Sequence, residues 1–178
     1  MQRLRRVGSG VLGYSARMFE VLVFVYENYW RGDACPELEQ LGRRLSAHGF
    51  EPDEIHQALV WLDGLSLVAR GARPDASTEI TYPPEGQSAS SMRVYSVAEQ
   101  DHLGAECLGF ISFLESSGVL PAAMREIVVD RAMAAPGQPV DLDDLKIIVL
   151  MVYWSVGEEP DALVLDELCD ASEERLPH

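Results

Sequence analysis

Apolar residues recur at helical spacing through the first half of the chain. The run FEVLVFVYENYW at 19–30 is apolar on nearly every side, which predicts a central helix packed against several others. A second helix is predicted from Pro36 to Gly49, because proline suits a first turn and glycine suits a helix end. Its apolar face consists of Leu38, Leu41 and Leu45. The pattern therefore opens the compact part of the chain with two helices.

The next segment predicts a third helix followed by a small β-ribbon. Apolar positions keep helical spacing over 52–63, and a glycine then precedes the short apolar run 65–68, which we interpret as a strand. The Gly-, Pro- and Ser-rich stretch 70–91 predicts a loop, with one weak strand inside it at 79–82. Residues 92–95, MRVY, alternate as expected of a strand that pairs with 65–68. Three helices and a ribbon in this order are typical of a winged helix.

The second half of the chain predicts helices only. Ser96 and Glu99 form the S-x-x-E capping box that opens a helix, which runs to about Ser116. Asp141 is the predicted N-cap of the strongly apolar helix 142–156. Two further helices are predicted, from Pro121 to about Ala134 and from Pro160 onward.

The predicted fold is mainly α, in three parts. Residues 18–95 form a winged-helix-like three-helix unit with a small β-ribbon, and residues 96–178 form an acidic helical bundle packed on it. The stretches 19–30 and 145–156 are both strongly apolar, and we expect them to pack together across the two halves. Residues 1–17 are an N-terminal extension, in which glycines break the apolar run that a signal peptide needs.

Charge and cysteine usage narrow the classes of function. The 178 residues carry 29 acidic and 14 basic side chains, a formal net charge of −15 at pH 7. Such a field repels phosphate backbones and anionic membranes, and no apolar stretch is long enough to span a bilayer. Cys35, Cys107 and Cys169 are far apart and odd in number, which indicates free thiols in a reducing cytoplasm.

Two polar clusters are candidates for metal binding, and a structural role explains each of them better. Asp141, Asp143 and Asp144 surround the start of an apolar helix, where carboxylates accept from unpaired backbone N–H groups. His102 and Glu106 lie four apart on a predicted helix, but one pair makes only half a site, so we interpret them as an exposed pair. No catalytic motif is present, and we predict no catalytic residue, no cofactor and no metal.

Four arginines provide the only argument for nucleic-acid binding. With a wing after the third helix, Arg43 and Arg44 would approach Arg70 and Arg73 in a local basic strip. The third helix would then read the major groove, yet residues 51–63 include four acids and no arginine or lysine. Direct binding to duplex DNA is therefore disfavoured.

Trp61 and His56 are the candidate contacts with a protein partner. His56 falls on the exposed side of the third helix. Trp61 lies beside Leu62 on a short helix, where it suits either the core or an interface anchor, and the core is the favoured interpretation.

Several segments taken together resemble the bacterial Smg protein family, uncharacterised proteins of the DUF494 type. They include MFEVLVFVYENYW at 18–30, LEQLGRRLSAHGF at 38–50, GFISFLESSGVL at 109–120, REIVVDRAM at 125–133 and LDDLKIIVLMV at 142–152. The resemblance runs in collinear order from Met18 to His178. Residues 1–17 lie ahead of where the family's sequences usually begin, so we interpret them as foreign to the native chain or as a dispensable arm.

The resemblance implies no activity and no functional residue. The family's genes often lie beside one for a DNA-processing protein, which implies a link to DNA processing by association only. From the charge and the missing catalytic motifs we expect a non-enzymatic cytoplasmic adaptor or regulator, whose partner is a protein such as a basic nucleic-acid-binding protein. The alternative is nucleic-acid binding through the second helix and the wing.

Overall fold

The computed structural model describes residues 13–29, 37–72, 93–136 and 139–158, together with Pro160. Within these residues the chain forms six α-helices and no strand. The helices are α1 (Gly13–Tyr29), α2 (Leu38–His48), α3 (Pro52–Ala72), α4 (Val97–Ser116), α5 (Ala122–Met133) and α6 (Leu142–Val156). The described chain is therefore mainly helical, as its sequence predicts.

Helix α6 lies at the centre of the molecule. It packs against α1, α3, α4 and α5, and nearly all of its residues from Asp144 to Tyr153 are buried. The indole Nε1 of Trp154 donates to the carbonyl of Tyr29 at 3.4 Å, which joins the ends of α6 and α1. The expected packing of 19–30 on 145–156 is confirmed, and both helices belong to one hydrophobic core.

The helix ends follow the capping residues of the sequence. Ser96 Oγ accepts from the backbone N–H of Glu99 at 3.3 Å, and a Glu99 carboxylate oxygen accepts from the N–H of Ser96 at 2.7 Å. Asp141 Oδ1 accepts from the N–H of Asp143 at 3.0 Å. Gly49 ends α2 in the left-handed conformation at φ 93°, which glycine adopts without steric cost. These three predicted boundaries are confirmed.

The predicted strand at 65–68 is wrong, because α3 continues through it to Ala72. The buried residues of α3 keep helical spacing on both sides of Gly64, and this continuous apolar stripe outweighs the ~1 kcal/mol that a glycine costs inside a helix. They are Ile55, Ala58, Trp61, Leu62, Leu65 and Ala69. Residues 93–95 have no regular structure, so the β-ribbon and the winged-helix-like unit are also wrong.

One further predicted boundary differs from the structure, and two predicted elements lie wholly or mostly outside the described residues. The compact region was expected to start at Met18, but helix α1 begins at Gly13. Arg17, which belongs to α1, pairs with Glu54 at 2.9 Å. The weak strand predicted at 79–82 and most of the helix predicted from Pro160 lie outside the described residues.

Helix α4 contains a break that the sequence prediction missed. Gly104 has φ 70° and ψ 168°, which is not a helical conformation. Val140 bridges the break: its N–H donates to the carbonyl of His102 at 2.8 Å, and its carbonyl accepts from the thiol of Cys107 at 3.3 Å. The loop before α6 therefore satisfies polar groups on both sides of the break.

Candidate protein-binding face

The structure does not bring the predicted basic strip together through a wing. Arg43 and Arg44 are exposed on α2, next to Gly42, which packs against Leu59 of α3. Arg70 lies in the last turn of α3, eleven residues beyond Leu59, or about 16 Å along the helix axis. Arg73 lies outside the described residues. Because α3 stays helical instead of turning back as a wing, Arg70 is carried away from the arginines of α2.

Both arginines of α2 have partners on the protein itself. Arg43 pairs with Glu39 at 3.5 Å one helical turn away, and both side chains are largely exposed. Arg44 donates to the phenol oxygen of Tyr29 at 3.2 Å, and its guanidinium lies 5.9 Å from the centre of that ring. The exposed pair of Arg43 and Glu39 contributes little to stability. It does offset one of the two positive charges, so α2 presents only a weak, partly neutralised basic patch.

Trp61 is a core residue that also borders a surface groove. Its side chain is 3% exposed, and its Nε1 donates to the carbonyl of Arg131 on α5 at 3.0 Å. His56 is exposed one turn earlier on α3, as predicted. The two residues line the same open groove of about 470 Å³, together with Val60, Ala135 and others, and we call it the Trp61 groove.

Helices α3 and α5 cross closely at Gly64. A Cβ atom at Gly64 would lie 2.0 Å from Nη1 of Arg131, so any other residue would displace the guanidinium. Arg131 is held by Asp130, with bonds of 2.8 and 2.6 Å, and reaches the carbonyl of Trp61 at 3.5 Å. The missing side chain at Gly64 thus leaves room for the guanidinium of Arg131 against α3.

A second groove lies on the other side of this crossing. It has a volume of about 730 Å³, and its apolar lining includes Val68, Ile127 and Met133. Glu126 and Asp130 line it from α5, and both side chains are about half exposed. We call it the Met133 groove. The two grooves and the exposed side of α3 between them form one surface, the α3/α5 face.

Two large apolar side chains project from this face into solvent. Val60 is 60% exposed and Leu67 is 62% exposed, although most aliphatic residues of α3 are buried. They are seven residues apart, which places them on the same side of the helix. No sequence prediction singled them out, although their spacing was visible there.

An ion-pair cluster closes one end of the Met133 groove. Arg93 pairs with Glu99 of α4 at 2.8 Å and with Glu126 of α5 at 2.9 Å, and its guanidinium lies 4.4 Å from the centre of the Tyr95 ring. Arg125 pairs with Glu126 at 2.8 Å and also with Glu115.

The bonds from Arg93, with a smaller contribution from the capping bond of Ser96, lower the pKa of Glu99 to about 2. The cluster thus fixes residues 93–96 onto α4 and α5.

This depressed pKa makes part of the stability pH-dependent. The pKa of Glu99 is about 2 in the folded chain against 4.5 without these contacts, so its contribution is complete above pH 4.5 and is lost as the pH falls towards 2. We expect Glu99→Gln to lower the free energy of unfolding at pH 7 by about 1–2 kcal/mol, a value kept small because solvent screens the pair. At pH 3 the loss is expected to be less than half as large, because Glu99 is then already protonated in the unfolded chain.

Urea unfolding at the two pH values measures this difference directly. Glutamine keeps the capping geometry, so the variant isolates the charge. Glu106→Gln, at an exposed position on the same helix, is the control and is expected to change the free energy by less than about 0.5 kcal/mol. An equal loss of stability at pH 7 and pH 3 would contradict the assignment.

The polar residues that were weighed for metal chemistry have structural roles. His102 is buried, and its Nε2 lies 3.0 Å from the carbonyl of Ala132, so the predicted exposed pair with Glu106 is wrong. Burial raises the pKa of the Cys107 thiol to about 11, which keeps it protonated and unreactive. Among the described residues no group of three metal-ligating side chains lies together. A separate finding is that no described helix is long and apolar enough to cross a membrane.

The described fold defines a small, mainly helical protein. The chain belongs to the DUF494 family of proteins of unknown function, whose model matches residues 18–178. It is 62% identical over 161 residues to the Protein Smg homolog of Leptothrix cholodnii, 58% to that of Methylibium petroleiphilum and 48% to that of Bordetella avium. Each match covers 90% of this chain and all of the relative, which confirms the Smg resemblance. No solved structure matches the chain.

Proposed function

We propose that this protein is a non-enzymatic cytoplasmic adaptor that binds a protein partner through the α3/α5 face. The exposed pair of Val60 and Leu67 carries the proposal, because the two large aliphatic side chains lie on one side of a helix beside two grooves, so one partner can bury both side chains together. The two grooves beside Val60 and Leu67 can accommodate side chains of a partner, as in protein interfaces where a few buried anchor residues contribute most of the binding free energy.

Charge supports a protein partner over a nucleic acid. The chain has a net charge of −15, and the α3/α5 face includes the exposed acids Asp63, Glu126 and Asp130. A phosphate backbone approaching this face meets repulsion at long range. Glu126 and Asp130 are largely neutralised by Arg93 and Arg131, so the repulsion comes mainly from Asp63 and from the net charge of the whole chain.

The alternative of nucleic-acid binding keeps only α2 and the end of α3 as its surface. Its candidate residues in the described part of the chain are Arg43, Arg44 and Arg70. Under this alternative, reversing their charge to glutamate weakens binding to RNA or DNA, with a smaller dependence on salt than in the wild type. Unchanged binding after the three substitutions rejects it.

The proposal is tested by a matched pair of substitutions. Leu67 and Phe113 are 62% and 59% exposed, and both lie on helices. Neither side chain lines a groove, but Leu67 lies on α3 between the α3 residues of the two grooves, whereas Phe113 lies on α4. Leu67→Asp and Phe113→Asp therefore introduce the same charge at equally exposed apolar sites. Tagged versions are purified from native cells with nuclease present, and co-purified proteins are identified by mass spectrometry.

We expect at least one defined protein to be recovered with the wild type and with Phe113→Asp, and to be lost with Leu67→Asp. The complex is then reconstituted from the two purified proteins. Equal recovery with both variants would place the binding surface elsewhere, and loss of every partner on nuclease treatment would favour the nucleic-acid alternative.

A further inference from the structure

We infer that the α3/α5 face recognises a cationic amphipathic helix whose two apolar anchors lie about eleven residues apart. This inference rests on the proposed function, since it names the chemistry of the partner at the same face. It follows from three features of the face: the spacing of its grooves, the surface between them, and its charge.

The α3 residues that line the two grooves give the spacing that we infer for the anchors. Helix α3 lines the Trp61 groove with residues between His56 and Trp61, and the Met133 groove with Val68 and Gly71. The midpoints of these two sets are about eleven residues apart, or about 16 Å along the helix axis. A partner helix that lies along α3 spans the same distance with positions i and i+11, which are three turns apart and face the same way.

The surface between the grooves restricts the middle of the partner. The guanidinium of Arg131 covers Gly64 there, and it is held by Asp130 and the carbonyl of Trp61. Val60 and Leu67 stand on either side of Gly64 along α3. A helix lying across this region therefore needs small residues between its anchors, while its two anchors enter the grooves.

Apolar side chains form part of the lining of each groove, and charged side chains form the rest, Arg93, Glu99, Glu126 and Asp130 in the Met133 groove and Arg131 in the Trp61 groove. The Trp61 groove is bordered by Met18, Val60, Trp61 and the residues Ala134–Pro136, and the Met133 groove by Val68, Ile127 and Met133. Removing the apolar surface of a leucine or methionine side chain from water against these residues favours binding. A uniformly charged chain gains nothing there, so an apolar anchor is required in addition to positive charge.

The charge of the chain selects a cationic partner and disfavours a second copy. Two copies of this chain each carry a net charge of −15 and repel each other. Asp63, Glu126 and Asp130 are exposed on the face itself, where they lie beside the path of the partner helix. Arg93 and Arg131 neutralise part of this local charge, so long-range attraction comes mainly from the whole acidic chain.

Designed peptides test the inference on the full-length protein. The first probe is an 18-residue fluorescein-labelled helix of alanine and lysine with leucine at positions 4 and 15. The second has the same composition with leucine at positions 4 and 13, which places the two leucines on opposite sides of the helix. The third replaces every lysine of the first with glutamate. Fluorescence anisotropy measures the Kd of each peptide.

We expect the first peptide to bind at least about tenfold more tightly than the second, and the third not to bind. Leu67→Ser is expected to weaken the first peptide by about fivefold to tenfold, while the matched variant Phe113→Ser leaves its Kd unchanged. Serine adds no charge, so this pair of variants reports the apolar contact alone.

Three results would overturn the inference: equal binding of the first two peptides, preferred binding of the acidic peptide, or no binding of any cationic peptide. In each case the proposed function is judged separately. It stands if the native partner is still lost with Leu67→Asp and kept with Phe113→Asp, and it fails if both variants keep the partner.

Discussion

Replacing Ile148 with alanine is expected to lower the free energy of unfolding by about 3–4 kcal/mol, within the range for removing a large aliphatic side chain from a core. The side chain is fully buried, and α6 contacts four other helices, so no neighbour can move into the space without losing contacts of its own. This loss is a large part of the total stability of a typical domain, about 5–15 kcal/mol.

Ile147 provides the matched control for this substitution. It is the preceding residue of α6, with the same side chain, but it is only partly buried at the edge of the core. Urea unfolding of Ile147→Ala is expected to show a loss of about 1 kcal/mol. Equal losses for the two variants would mean that α6 is not the centre of the fold.

Replacing Gly104 with alanine is expected to destabilise the protein by about 2 kcal/mol. A residue with a side chain is strained at φ 70° and ψ 168°, a conformation that is essentially limited to glycine, and such strain costs about 1–3 kcal/mol. A helical conformation at this position would relieve the strain but would separate His102 and Cys107 from Val140, which they both contact. Either outcome lowers the free energy of unfolding.

Gly109 on the same helix is the control for this substitution. It has helical geometry, is exposed, and has no atom within 4 Å of where a Cβ would lie. We expect Gly109→Ala to raise the free energy of unfolding by about 0.5–1 kcal/mol, as alanine does at exposed helical positions. Thermal unfolding of the two variants should therefore give melting temperatures that shift in opposite directions. A rise with Gly104→Ala would contradict the break in α4.

The helix ends were predictable because their causes are local in the sequence. The capping box of Ser96 and Glu99, the Asp141 cap and the glycine at position 49 each act within a few residues. The continuation of α3 past Gly64 was not predictable, because Gly64 and the apolar run after it favour a strand locally. What decides the conformation is the packing of Leu65 and Ala69 in the core, which depends on distant parts of the chain.

The candidate site was less predictable than the fold, for a similar reason. Its grooves exist because α3 and α5 cross, and the crossing brings Gly64 beside Arg131, 67 residues later in the chain. No local pattern indicates such a contact. The wing that would have joined Arg70 to α2 depended on the strand at 65–68, so the proposed basic strip lost its geometry when that strand proved helical.

One feature of the site was visible in the sequence, although the prediction did not use it. Val60 and Leu67 are seven residues apart, and with α3 read as one helix they fall outside its buried stripe. This apolar pair on the polar side of the helix is the observation on which the proposed interaction surface rests. The prediction ended the helix before Leu67, which hid the pair.

Site-specific photo-crosslinking tests the central claim, that the α3/α5 face binds a protein, most directly. A photoreactive phenylalanine analogue is placed at Leu67 in one strain and at Phe113 in another, and both strains are irradiated in the presence of nuclease. The account predicts that one discrete protein adduct forms from position 67 and that none forms from position 113. Equal adducts from both positions, or an adduct from position 113 alone, would contradict it.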